Sequence, residues 1–193
     1  MKYNKEWLSK KEITQLFNFS EIPSRDLLLM RVCYFGAFRV SEVLNSKRED
    51  YRKEEYTYLL LRDQKTDKKN WEKQPIPDFV YGEINRYCTD KKIKTQEHVF
   101  NSNRSQQLSY QMAYKLVKKW VRLASIDKEI TTHSFRRSRA THLLDDGLEL
   151  IQVSRFLRHN SLETTRKYLK LSKKDLSSKV HEIDKKNLFN IIR

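Results

Sequence analysis

With three glycines and three prolines among its 193 residues, this chain has few places where a helix is forced to break or the backbone to turn tightly. Lys, Leu and Glu are abundant, so the intrinsic preference is helical over most of the length, and the length itself suits one domain with a real core. The same scarcity argues against a phosphate-cradling glycine-rich loop. Walker-type nucleotide hydrolysis and dinucleotide-dependent redox chemistry are therefore disfavoured.

The periodicity fills in the elements. Ser9-Lys10-Lys11-Glu12 reads as a capping box that opens a helix ending near Phe19. Residues 24–38 are apolar almost all round, as expected of a helix at the centre of a core, and a short helix is expected over 40–46. Residues 56–61 and 71–76 read as the two arms of a β-hairpin whose turn, 62–70, is basic. Helical spacing returns at 78–89 and 108–124, with 98–100 as a short strand between them. Further helices are expected at 133–146, 149–158, 162–170 and 173–181, before an apolar tail at 188–192. The expected fold class is α+β, mainly α: one helical domain over 1–193 with a small antiparallel sheet.

Charge points to the partner. Forty Lys and Arg against 25 Asp and Glu leave a net charge of +15, and a surface this basic attracts polyanions, nucleic acid first. The longest apolar stretch is interrupted by Arg31 and falls short of the roughly 20 residues that span a bilayer, and no signal-like run opens the chain. The expectation is a soluble, cytoplasmic protein. Cys33 and Cys88 lack C-x-x-C neighbours, which indicates neither a zinc site nor a disulfide framework.

Four groups of residues could carry chemistry. Arg39 follows the most apolar helix, with Glu42 one turn on to orient it. His133 and Arg136 stand three apart, on one helical face, where imidazole and guanidinium could approach the same phosphate. His159 precedes Tyr168, whose neighbours Arg166, Lys167 and Lys170 favour a phenolate. Lys65 lies on the hairpin turn. Each has a bland alternative: a structural ion pair, a chance H-x-x-R, a half-buried tyrosine, a solvated turn.

Taken together and in this order, Arg39 with Ser41-Glu42, Lys65, His133-x-x-Arg136 and His159 nine residues before Tyr168 resemble the catalytic domain of the tyrosine recombinases, or phage integrases. Gly147-Leu148 ahead of residues 153–159, and Thr164-Thr165-x-x-Tyr168, are similar to the family's segments around the second histidine and the nucleophile. The resemblance implies a site-specific recombinase that cuts DNA through a 3′-phosphotyrosine on Tyr168. Arg39, Arg136 and His159 would then hold the phosphate, Lys65 would protonate the leaving oxygen, His133 would take the tyrosine proton, and Glu42 would orient the site. It implies no metal and no cofactor, double-stranded DNA as partner, self-assembly into a dimer or tetramer on DNA, and a prokaryotic cell or a mobile element as setting. The family's N-terminal DNA-clamping domain is expected to be missing, and residues 182–193 are expected to pack either on a neighbouring copy, as the resemblance implies, or back on their own domain. Residues 131–174, around the proposed site, hold ten Lys and Arg against four Asp and Glu, which suits backbone contact with DNA. One departure stands out: the residue before His159, usually glycine in the family, is Arg158.

Three alternatives stay open at this point. Residues 148–157 and 162–171 could form a helix-turn-helix in a DNA-binding regulator that does not cut. Asp50 and Asp63-Gln64-Lys65 loosely match the acidic and D-x-K elements of metal-dependent nucleases. Type IB topoisomerases share much of the tyrosine chemistry, so relaxation without strand exchange is also compatible.

Overall fold

The computed structural model describes residues 6–62, 71–102, 105–159 and 161–166. Eight α-helices and one three-stranded sheet are formed among them. The expected α+β class, mainly α, is the one observed.

Helix α1 (Lys10–Phe17) opens on the capping box: the Ser9 hydroxyl accepts from the Glu12 N–H at 3.3 Å and the Glu12 carboxylate from the Ser9 N–H at 2.7 Å. Helix α2 (Ser24–Phe35) is the central strut, with Leu28, Leu29, Met30, Val32, Cys33 and Tyr34 buried. It packs between α4 (Asp78–Asp90) and α6 (Thr132–Asp145), which explains why its apolar residues run round the whole helix. Helix α5 (Tyr110–Leu123) is one-sided, burying Ala113, Val117, Trp120 and Val121 at helical spacing. The Trp120 indole donates to buried Asp26 at 2.9 Å, tying α5 to the start of α2. Both cysteines are buried free thiols.

The sheet is an antiparallel meander, β1 (Tyr51–Lys53), β2 (Thr57–Arg62) and β3 (Trp71–Pro75), in that order. The expected hairpin is β2 with β3, in a register that runs from Tyr58 opposite Pro75 to Arg62 opposite Trp71. At its turn end the Arg62 guanidinium lies 5.5 Å from the Trp71 ring centre and pairs with Asp50 and Glu49 at 2.6 and 2.7 Å. Strand β1 escapes a pattern reading because only Tyr51 of its three residues is buried.

Helix ends differ most from expectation, and mostly for one reason. A chain poor in glycine must end its helices with other residues in the left-handed conformation: Ala37 (φ 48°), Lys92 (φ 55°), Ser125 (φ 55°) and Arg158 (φ 54°) follow α2, α4, α5 and α7 (Leu150–Phe156). In each, the next residue's N–H reaches back five residues: Phe38 to Cys33 O, Ile93 to Cys88 O, Ile126 to Val121 O, His159 to Ser154 O, at 2.8–3.1 Å. At the first three ends a buried apolar side chain, Phe38, Ile93 or Ile126, locks the turn. Helix α2 thus stops at Phe35 and not at 38; the buried Phe38 ring folds over Gly36, where a Cβ would stand 1.9 Å from it. Similarly, α7 stops at Phe156; α1 stops at Phe17 without a left-handed residue, its cap Asn18 standing at φ −96°. The strand expected at 98–100 is a single bridge between His98 and Lys47. Helix α8 is described over Leu162–Arg166; turn residues 63–70, the helix expected at 173–181 and the tail at 188–192 lie outside the described residues.

Candidate active site

Two of these helix ends lie side by side, and each delivers a functional residue. Beyond Ala37 the chain runs through Phe38 to Arg39, the residue capping α3 (Val40–Leu44); beyond Leu157 it runs through Arg158 to His159. Two side chains staple the turns together. Arg136, on α6 and 1% exposed, donates from Nη1 to the Ala37 carbonyl at 2.7 Å and from Nη2 to the Leu157 carbonyl. Gln74, on β3 and 2% exposed, donates from Nε2 to the Gly36 and Phe156 carbonyls, both at 3.0 Å. These carbonyls sit at the negative ends of α2 and α7, a favourable surrounding for a buried guanidinium.

Arg39 is held differently. Its side chain is 50% exposed, its Nη1 donates to Glu42 Oε1 at 2.9 Å, and its backbone N–H donates to Glu42 Oε2 at 2.8 Å. Glu42 Oε2 also accepts from Arg158 Nη2 at 2.6 Å. Burial pushes the Glu42 carboxyl up, but the Arg158 charge, the Arg39 N–H and both guanidinium hydrogen bonds outweigh it and hold the group below the usual carboxylate range.

His133 opens α6 one turn before Arg136 and is exposed, yet desolvation by the surrounding protein, then the charges of Arg136, Arg39 and Arg137, lowers its pKa. His159 is half-buried, its Nδ1 2.9 Å from the Thr165 hydroxyl of α8. Desolvation, then Arg136, Arg39, His133 and Arg158, brings its pKa down to about 4. Both imidazoles are therefore neutral at neutral pH, and they and both arginines lie within electrostatic reach of one another. Arg39, Glu42, His133, Arg136 and His159 are brought together; Lys65 and Tyr168 lie outside the described residues.

Three contributors have roles that the sequence does not assign. Gln74 is a polar residue in a polar strand, and only its position as the single buried residue of β3 marks it. Thr165 matters through its contact with His159. Arg158 carries a signal, its place where the family keeps glycine, which the positive φ now explains. Asp50, the first carboxylate of the metal-nuclease alternative, is buried and engaged on both oxygens, by Arg62 and by the Lys47 N–H. No helix among the described residues is long and apolar enough to cross a membrane.

The phage integrase family model matches residues 6–175. Tyrosine recombinase XerA of Pyrococcus horikoshii is 30% identical over 178 residues, covering 91% of this chain and 60% of that protein. Tyrosine recombinase XerD of Staphylococcus saprophyticus is 28% identical over 196 residues, covering 94% and 64%. The chain thus spans about three-fifths of these relatives. Among solved structures, XerA recombinase superposes with a TM-score of 0.78 at 22% identity over 92% of this chain and 63% of that one. XerH recombinase bound to its difH substrate before cleavage gives 0.74 at 22% identity, over 90% and 53%. The Tn1549 transposon integrase with transposon right end DNA gives 0.71 at 16% identity, over 92% and 66%. At such identities the likeness is one of fold, and it agrees with the family match that runs through every element of the candidate site. The chain belongs to the phage integrase family.

Proposed function

We propose that the chain cleaves and rejoins double-stranded DNA as the catalytic part of a site-specific tyrosine recombinase. The observation that carries this reading is the convergence of Arg39, Arg136, His133 and His159 on two stapled helix ends, in a chain whose family includes recombinases and integrases solved with DNA.

The Tyr168 phenol oxygen attacks the scissile phosphorus, the bond from phosphorus to the 5′-oxygen breaks, and a 3′-phosphotyrosine and a 5′-hydroxyl result. Neutral His133 accepts the phenol proton and Lys65 supplies one to the departing oxygen. Half-exposed Arg39 binds the non-bridging oxygens through charge-assisted hydrogen bonds that strengthen as charge accumulates. Arg136 keeps the Arg39 and His159 turns in register and contributes its charge from beneath. A neutral imidazole carries one N–H; in the tautomer whose Nδ1 accepts from the Thr165 hydroxyl, the His159 hydrogen sits on Nε2 and donates to the phosphate. Side-chain cations supply the stabilisation, so the reading assigns no metal and no cofactor. Attack by a 5′-hydroxyl on the phosphotyrosine reverses the step and reseals the strand.

The reading takes 1–193 as one catalytic unit, acting in the cytoplasm of a prokaryotic cell and assembling as a dimer or tetramer on DNA, with residues 182–193 packing on a neighbouring copy. Incubation with nicked duplexes drawn from a random library, in EDTA, tests it: a covalent protein–DNA adduct mapped to Tyr168 is expected, and adduct formation by Tyr168→Phe, or none by the wild type, overturns it. Deleting residues 182–193 should lower cooperativity on paired sites more than affinity for one.

A further inference from the structure

Glu42 serves two guanidinium groups at once, and they differ in burial. Arg158 has a side chain only 7% exposed, lies over the Phe38 ring at 5.6 Å, and reaches Glu42 Oε2 at 2.6 Å. Arg39 is half exposed and reaches Oε1 at 2.9 Å. Water weakens the outer contact more than the inner one, so Arg158 holds the larger share of the carboxylate charge. The Arg39 N–H, 2.8 Å from Oε2, keeps the carboxylate from swinging away. The other acid near Arg158 is Glu72 of β3, with a side chain 58% exposed and 3.6 Å from Nε, beyond hydrogen-bond length and screened by solvent. Arg158 occupies a backbone conformation that suits glycine, so the arginine is kept there against its local preference.

We infer that Arg158 is a positioning residue for Arg39: by occupying Glu42 it leaves the Arg39 guanidinium with charge and donors to spend on a phosphate. Without it, the Arg39 and Glu42 pair is a closed, neutral ion pair and an incoming phosphate must compete with the carboxylate. With it, two cations share one anion, and the surplus charge faces outward. That the phosphate is a DNA diester rests on the recombinase reading; that the site binds a phosphate anion does not.

The sign of a double substitution separates this role from a structural one. Arg158→Gly relieves the left-handed backbone and should fold. It should weaken binding of inorganic phosphate, followed by NMR at the Arg39 Nε–H and His159 resonances of the whole chain, roughly tenfold. Adding Glu42→Gln removes the competing charge and should restore most of that affinity, while Arg158→Lys, keeping the charge, should sit between wild type and Arg158→Gly. On a nicked duplex captured covalently by the wild type, Arg158→Gly should slow single-turnover cleavage at saturating DNA by a similar factor, with the DNA dissociation constant little changed and Glu42→Gln again restorative. Wild-type phosphate affinity in Arg158→Gly, or a further loss on adding Glu42→Gln, overturns the inference, whether or not DNA is cleaved. Failure of the wild type to capture any duplex, with the phosphate results as expected, overturns the recombinase reading and leaves the positioning role standing.

Discussion

Arg136 and Gln74 bridge the same two turns from different layers of the fold, the arginine through the Ala37 and Leu157 carbonyls and the glutamine through the Gly36 and Phe156 carbonyls just before them. The turns that present Arg39 and His159 are thus joined by four hydrogen bonds from two buried side chains.

Gln74→Leu should therefore destabilise the protein by about 2 kcal/mol, because two buried carbonyls lose their donor. Denaturant unfolding measures the loss. The side effect expected from the geometry is a change in the His159 environment, visible as a shift of its NMR resonances, because the Phe156 carbonyl that Gln74 holds lies in the turn that presents His159.

The two arginines should separate cleanly. Arg39→Ala is expected to slow DNA cleavage by about 10²–10³ with stability nearly unchanged, since its side chain is half exposed. Arg136→Ala should cost about 3 kcal/mol of stability besides the activity, because it empties a buried, doubly bonded site. Parallel thermal melts and single-turnover assays check the contrast, and equal stability losses would contradict it.

Much of this site is legible in the sequence, because its chemistry resides in residue types whose order carries the resemblance: Arg39, His133, Arg136 and His159 are all found where the spacing leads one to look. The burial of Arg136 is not legible. A helical H-x-x-R suggests two groups facing one phosphate, whereas the long guanidinium turns inward to helix ends that only tertiary packing brings near. For the fold, hydrophobic periodicity locates α2 and α5 but overruns the first, because Phe38 is apolar and continues the pattern while its ring closes over Gly36. Strand β1 is too short for any period to emerge.

The lowered pKa values make a directional prediction about pH. His159 titrates near 4 in the folded chain and at the ordinary imidazole value, about 6.5, when unfolded. Between those values the unfolded state binds more protons, so stability rises with pH through that window and is level, for this residue, above it. His133 and His142, also lowered, act in the same direction. Denaturation midpoints should fall as pH drops from 7 to 4, and His159→Gln should flatten part of the slope; an unaltered slope would remove His159 as its source.

Anion binding should reverse this local bias. A phosphate beside Arg39 and Arg136 offsets the charges that depress His159, so its NMR-detected pKa should rise when phosphate is added. A value that stays near 4 at saturating phosphate would place the anion elsewhere.

The stacking of Arg62 on Trp71 at the turn end of the hairpin has an optical corollary. The chain has three tryptophans: Trp120 is buried and hydrogen-bonded to Asp26, Trp7 lies edge-on to His142 at 5.7 Å between ring centres, and Trp71 is 49% exposed with a guanidinium on its face. Their emission should differ in colour and in access to iodide, with Trp71 the reddest and the most readily quenched. Replacing the other two by phenylalanine would leave a native fluorophore at the end of β3 that adjoins residues 63–70, able to time the hairpin's engagement with a nucleic acid without any attached dye.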